Sequence, residues 1–449
     1  MDIYLSAPGL ICCAGNDRAS FFDACLRGDK SGIRPASGPG GRTFPTGRIT
    51  GLEDAPLPAP AVSGGIPAGY SAHTRIFRMT DLALKQIRGQ VEKALSRYGP
   101  GRIGVCFGSC DNGSEASLSA HEAYFQGRNG KDGGDAVGLG VFPAGYDLRC
   151  QGAPFLAEHV AEFFGISGPV FTVAAACASS AGAIIKGAQL IRAGLCGAVI
   201  AGGADIVSAT VLLGFDSLEA ISDTVSNPFS KNRKGINLGE AAAFFVMSKD
   251  KLEDEGIVLL GYGESSDAFH MTSPCTDGRG AARAMKDALV MAGIEGSAVD
   301  YVNLHGTGTR LNDRMEALAM NTVFAKAGGE PSALPPASSS KPVTGHTLGA
   351  AAALELALCW MVLYSAVRPA HTAYAEGTSR PDPYGGLPLH CWDGEYGGDM
   401  PQLCLVSGGR GAEGRDPAKR SRAPRVCMSN SFAFGGCNTS LILGRKEEP

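Results

Sequence analysis

The sequence lacks the features that mark membrane, secreted and nucleic-acid-binding proteins. No stretch of about eighteen uninterrupted apolar residues is present to span a bilayer. Residues 1–15 (MDIYLSAPGLICCAG) have no basic n-region of the secretory kind, so a cytoplasmic location without a membrane span is expected. Charge of one sign is scarce as well. With 40 basic and 44 acidic residues the net charge is -4, which offers no general basic face for nucleic acid. There is no Cys-x-x-Cys, and the closest cysteine pairs, Cys12 with Cys13 and Cys106 with Cys110, have no histidine at zinc-site spacing. No metal is therefore expected. The 14 cysteines are scattered through apolar segments such as 103–106 and 356–360, where they read as small buried hydrophobes rather than a disulfide framework.

What is present is globular. Of 449 residues, 44% are hydrophobic, enough for two compact halves around large cores. The 63 glycines fall in short clusters inside apolar segments, which suits turns and close backbone approaches, not a linker. After an opening strand at 3–5, apolar runs at 103–107, 170–174, 197–201 and 242–247 read as strands, with helices at 155–164 and 179–193. Leu82, Ile87, Val91 and Leu95 predict one amphipathic helix over 79–95 behind the cap candidate Thr80. Strands alternating with helices imply an α/β sheet. The pattern then restarts, with strands at 257–261 and 300–304, helices at 280–292 and 350–365, and closing strands at 426–430 and 439–443. This suggests a duplication, with halves 1–255 and 256–449. Segments 127–152 and 408–425 read as loops.

Three segments carry candidate chemistry. Residues 173–184 (VAAACASSAGAI) put Cys177 between a strand and a helix rich in small residues. A helix N-terminus there is expected to lower the thiol pKa and supply a nucleophile; a plain buried cysteine is the alternative. Residues 303–309 (NLHGTGT) place His305 just after a buried strand, where α/β sheets present reactive groups. Residues 338–350 (SSSKPVTGHTLGA) place His346 before an apolar helix. A lone histidine is more often structural, but two in glycine turns together with Cys177 form a reactive set.

Taken in order, Ala176-Cys177 with Ser179, His-Gly-Thr-x-Thr at 305–309, the segment 341–349 and residues 430–438 (NSFAFGGCN) resemble the β-ketoacyl-acyl-carrier-protein synthases of the elongating type. Gly202-Gly203-Ala204, NLGE at 237–240 and SSDAFHMTSP at 265–274 extend the resemblance over almost the whole chain. The resemblance implies a thiolase-like, duplicated five-layer αβαβα sandwich, dimeric through the first half, with the active site between the halves. It implies that Cys177 is the acylated nucleophile, that His305 and His346 bind the malonyl thioester and assist its decarboxylation, and that Lys341 and Glu355 support them. The amides of Cys177 and Phe434 would form an oxyanion hole, with Phe434 also a gate. Thr307 and Thr309 would bind the pantetheine arm, and Arg75 and Arg78 an acidic carrier. No cofactor is implied beyond the phosphopantetheine of an acyl carrier protein. The implied partner is that carrier, with a second copy or another ketosynthase-like subunit completing a dimer. The chemistry agrees, since a Claisen condensation needs an acyl acceptor, a carbanion made by losing carbon dioxide, and sites for two oxyanions.

Four departures stand out. Cys437 replaces the threonine of Gly-Gly-Thr-Asn, Ala433 replaces a glycine, Arg310 stands where proline is frequent, and Arg233-Lys234-Gly235 replaces Arg-Asp-Gly. The surrounding 227–240 (NPFSKNRKGINLGE) resembles synthases of aryl polyene pigment clusters. Three rivals differ in their demands. A non-condensing chain-length-factor-like partner usually lacks the nucleophile. A thiolase needs a second, C-terminal cysteine, for which Cys437 is the candidate, and a cysteine hydrolase needs neither the second histidine nor Lys341.

Overall fold

The computed structural model describes residues 1–38, 41–52, 74–111, 114–128, 142, 152–325, 334–366, 386–407 and 423–446. The segments expected as loops, 127–152 and 408–425, lie almost wholly outside them. Two-residue alternation sets how the strands are buried. In Ala241–Ser248, the side chains of Ala241, Ala243, Phe245 and Met247 join one core cluster, while Ala242, Phe244 and Val246 join another. Both faces of the strand are thus covered, as an interior sheet requires. In Ile103–Gly108, Cys106 faces the first cluster and Val105 and Phe107 the second.

Pairing repeats between the halves. In the first, Gly9–Cys12, Ala241–Ser248 and Ala198–Asp205 pair antiparallel in that order, and Ile103–Gly108 and Val170–Val173 follow in parallel. In the second, Ile257–Ser266, Cys437–Arg445 and Val426–Phe432 pair antiparallel, and Tyr301–Asn303 and Ala337–Ser338 follow in parallel. Tyr4–Leu5 pairs with both Ala241–Ser248 and Ile257–Ser266 and joins the two sets edge to edge. The helices Ser179–Arg192 and Ala351–Ser365 pack on each other between the sets. Arg75–Gln86, Arg88–Tyr98 and Pro154–Phe164 cover the outer face of the first, and Arg279–Ala292 and Arg310–Phe324 that of the second. The result is the five-layer αβαβα order. Leu348–Ser365 is long and apolar enough to cross a bilayer, but it is 89% buried as the central helix of the second half.

One predicted helix is two. The chain over 79–95 forms Arg75–Gln86 and Arg88–Tyr98, broken at Ile87 with φ -103 and ψ 9. Thr80 is no cap: it lies inside the first helix and donates to the Ile76 carbonyl at 2.8 Å. At the break, Gln86 accepts from the Leu10 amide and donates to its carbonyl. A contact distant in sequence thus fixes the break that local periodicity passes over.

Candidate active site

Cys177 sits in the turn between Val170–Val173 and Ser179–Arg192. The turn is strained, because Ala176 has φ 45, a conformation that residues with a Cβ adopt at a cost of roughly 1–3 kcal/mol. Ser179 locks it, its hydroxyl donating to the Ala176 carbonyl at 2.6 Å and accepting from the Ala175 amide at 2.9 Å. Gly108 lets the neighbouring strand pass close behind, since a Cβ there would lie 2.4 Å from the Ser180 amide nitrogen. The sequence thereby fixes one sulfur atom at the junction of strand and helix.

The second half brings the histidines to that sulfur. His346 Nε2 lies 2.9 Å from Cys177 Sγ. Its backbone is held from the first half, the amide donating to the Asn237 carbonyl at 2.7 Å and the carbonyl accepting from the Gly239 amide at 2.9 Å. The His305 ring stands edge-on to His346, with centroids 5.4 Å apart. Glu316 holds the His305 turn, its two oxygens accepting the His305 and Gly306 amides at 2.8 and 2.7 Å. Behind the pair, Lys341 Nζ donates to Glu355 Oε1 at 2.5 Å in a fully enclosed ion pair.

Burial sets the electrostatics. It pushes the Cys177 thiol up to about 11, against the Lys341 ammonium and the Phe434 amide, which lower it. The expectation that the helix end holds this thiol low is therefore corrected: the sulfur is 6% exposed with its residue, and desolvation of a thiolate outweighs the helix terminus. Burial first, and the Lys341 charge second, hold both His305 and His346 well below the ordinary imidazole range. Both rings are neutral at pH 7, and neither Nδ1 has a hydrogen-bond partner among the described residues. Each Nε2 is thus open to accept or donate. Burial raises Glu316 to about 8. Cys177, His305 and His346 offer three donor atoms within 4.8 Å of one another, a set able to ligate a metal, but the Lys341 ammonium beside them opposes a second cation.

A pocket of about 520 Å³ opens onto Cys177, His305 and His346. Thr307, Thr309 and Phe434 line it, and the two threonine hydroxyls lie 3.1 Å apart. Phe434 stacks on Phe215, and its amide points at the Cys177 sulfur. The glycines beside it are tied down, Gly435 donating to Met271 and Gly436 accepting from Asp267. Arg233, Lys234 and Arg310 reach the same pocket. Cys437 packs in the small cluster around Cys177 without lining the pocket. The two arginines expected at a carrier surface are placed differently. Arg75 turns inward to Glu240, at 2.7 Å with 10% of its side chain exposed, and Arg78 donates to the Leu52 carbonyl. Arg75 is committed to a buried carboxylate.

Several contributors escape a reading of motifs. Asp205 closes the strand Ala198–Asp205 and accepts from the amides of Cys110, Asp111 and Gly349 and the hydroxyl of Ser109. It follows directly on Gly202-Gly203-Ala204. Glu316 could have been suspected as an acid on the apolar face formed by Met315, Ala317 and Ala319. Nothing in the local sequence points to Asn237 as the carbonyl that seats His346.

Comparisons with known proteins agree with this geometry. The N-terminal domain of β-ketoacyl synthases matches residues 73–252 and the C-terminal domain residues 257–375. Nodulation protein E of Rhizobium meliloti is 35% identical over 293 residues, 64% of each chain. The match thus spans about 64% of the length of the nodulation relatives. The 3-oxoacyl-[acyl-carrier-protein] synthase 2 of Vibrio cholerae is 30% identical over 356 residues, 77% of this chain and 76% of that one. Among solved structures, a ketosynthase in complex with its chain length factor from Xenorhabdus doucetiae superposes with a TM-score of 0.77 and 36% identity, covering 99% of this chain and 98% of that chain.

Proposed function

The chain belongs to the β-ketoacyl synthase family, with its thiolase-like fold, and from that premise we propose that it condenses an acyl thioester with a malonyl thioester on an acyl carrier protein. The observation that carries this reading is the contact of Cys177 Sγ with His346 Nε2, with His305 facing the same ring at the floor of the pocket.

Cys177 attacks the incoming thioester as its thiol proton passes to the departing pantetheine sulfur, while the Nε2–H of His346 donates to the Cys177 sulfur. The acyl group is then on Cys177. The malonyl thioester next loses carbon dioxide, and its electron pair becomes an enolate whose oxygen is stabilised by Nε2–H donors of the neutral His305 and His346. The enolate carbon attacks the acyl carbonyl, whose oxyanion sits against the amides of Cys177 and Phe434. Collapse expels the Cys177 sulfur as a thiolate, which takes a proton from solvent water, and leaves a β-ketoacyl thioester. Neutral histidines suit this role, because decarboxylation supplies the carbanion without a strong base. The complete set also argues against a non-condensing partner. Cys437, the thiolase-type candidate, does not line the pocket.

A second ketosynthase-like subunit fits the edge strand Val170–Val173, where Phe171 is 42% exposed. A chain length factor is such a subunit in the Xenorhabdus relative. The aryl polyene reading draws support from Arg233, Lys234 and Gly235, which belong to the segment that carries it and line the pocket.

Intact-mass spectrometry after mixing with acyl-loaded carriers of several chain types tests the proposal. An acyl adduct absent from Cys177→Ala is expected, and the preferred adduct names the substrate class. No adduct from any carrier, with a complex formed with another synthase, would establish the non-condensing role instead.

A further inference from the structure

His390 lies beyond residue 375, where the match to the family's C-terminal domain ends. It is 1% exposed and uses both ring nitrogens. Nδ1 accepts the Ser339 amide at 3.1 Å. That fixes the proton on Nε2, which faces the Pro228 carbonyl at 3.2 Å. Its own amide donates to the Val406 carbonyl at 2.6 Å.

Ser339 is a hub. Its hydroxyl donates to the Gly306 carbonyl at 2.7 Å and accepts the Lys341 amide at 3.3 Å. Gly306 adjoins His305, has φ 33, and would bring a Cβ to 2.6 Å from the Ser339 side chain. On the other side, Pro228 precedes Phe229, whose ring packs against Gly306 and whose φ is 63. His390 thus clamps the strained Phe229 turn to the Ser339 turn, with the His305 turn between them.

We infer that His390 is a positioning residue for His305 and Lys341, acting through Ser339. The inference rests on the condensing function proposed above. It predicts a selective defect, because the clamp holds the decarboxylating side of the site and, among the described residues, His390 makes its hydrogen bonds to Ser339, Pro228 and Val406 and none to the Cys177 turn.

The test measures the two half-reactions separately on the full chain: acylation of Cys177 from an acyl carrier, and carbon dioxide release from a malonyl carrier. His390→Leu, which removes both hydrogen bonds, should lower carbon dioxide release about a hundredfold and leave acylation within about threefold. His390→Gln, whose carboxamide again pairs an acceptor with a donor, should restore most of the loss. Equal losses in both half-reactions that follow the melting temperature, or an unchanged release rate, would overturn the inference. Wild type inactive in both half-reactions would instead defeat the proposed function. In that case, or if His390→Leu does not fold, nitrogen NMR of histidine-labelled wild type decides. A His390 ring that keeps its proton on Nε2 from pH 5.5 to 8 supports the clamp, and a proton on Nδ1 overturns it.

Discussion

In the first half the chain passes from Val170–Val173 to the central helix Ser179–Arg192 through one tight turn. In the second it passes from Ala337–Ser338 to Ala351–Ser365 through the short helix Lys341–Thr344 and the 3-10 turn Leu348–Ala350. The same position in a repeated topology thus carries a short, strained junction in one half and a long one in the other. The short junction immobilises a single sulfur. The long one carries a lysine and a histidine and is seated on Asn237 and Gly239 of the first half. The strand ends compare in the same way. Asp205 gathers the amides after Ile103–Gly108, and Glu316 gathers those after Tyr301–Asn303. Burial raises both carboxyl groups. Duplication supplies the frame, and the two junctions differ in the side chains they hold.

The sharpest way to break this comparison is to disable one half at a time. Cys177→Ala should abolish acylation yet keep carbon dioxide release within about tenfold, because the histidines remain. His305→Ala should keep acylation and lose carbon dioxide release by about a thousandfold. Isotope-release and intact-mass assays on both variants check the division; joint loss in either would show that the halves act as one unit.

Stability separates the two carboxylates next. Asp205 ties together three amides from two segments, so Asp205→Ala should cost roughly 3–5 kcal/mol in urea unfolding, and Glu316→Ala, with two amides orphaned, roughly 2–3 kcal/mol. The reverse order would place the greater structural burden on the second half.

A smaller effect concerns the Cys177 thiol. With the Cys177 thiol pushed up to about 11, its alkylation by iodoacetamide should quicken about tenfold per pH unit from 7 to 10. A plateau below pH 8 would mean that the helix end prevails over burial after all.

The smallest effect is thermal. Glu316 is raised to about 8 from an unfolded value of 4.5, so its contribution is fully present below pH 4.5 and lost as pH rises through 8. The melting-temperature difference between wild type and Glu316→Gln should shift against wild type over that interval. A flat difference would show that Glu316 keeps its charge.

Much of this was legible beforehand. Strands such as Ala241–Ser248 and helices such as Ser179–Arg192 follow from periodicity, because a two- or 3.6-residue repeat is a local property. The break at Ile87 was not, because Gln86 finds its partner at Leu10. The ion pair of Arg75 with Glu240 is hidden for the same reason, since an arginine beside a helix start looks solvent-facing until Glu240 is placed next to it.

By itself, the sequence determined the repeated α/β frame and pointed to Cys177, His305 and His346, which sit in glycine- and alanine-rich turns and which the fold brings together. Only the tertiary structure decided which nitrogen meets the sulfur, that burial raises the thiol, and that Glu316, Asp205 and His390 hold the turns in place. These depend on the desolvation and hydrogen-bond partners that arise when residues far apart in the chain are packed together, as with His346 and Cys177 at 169 residues' separation.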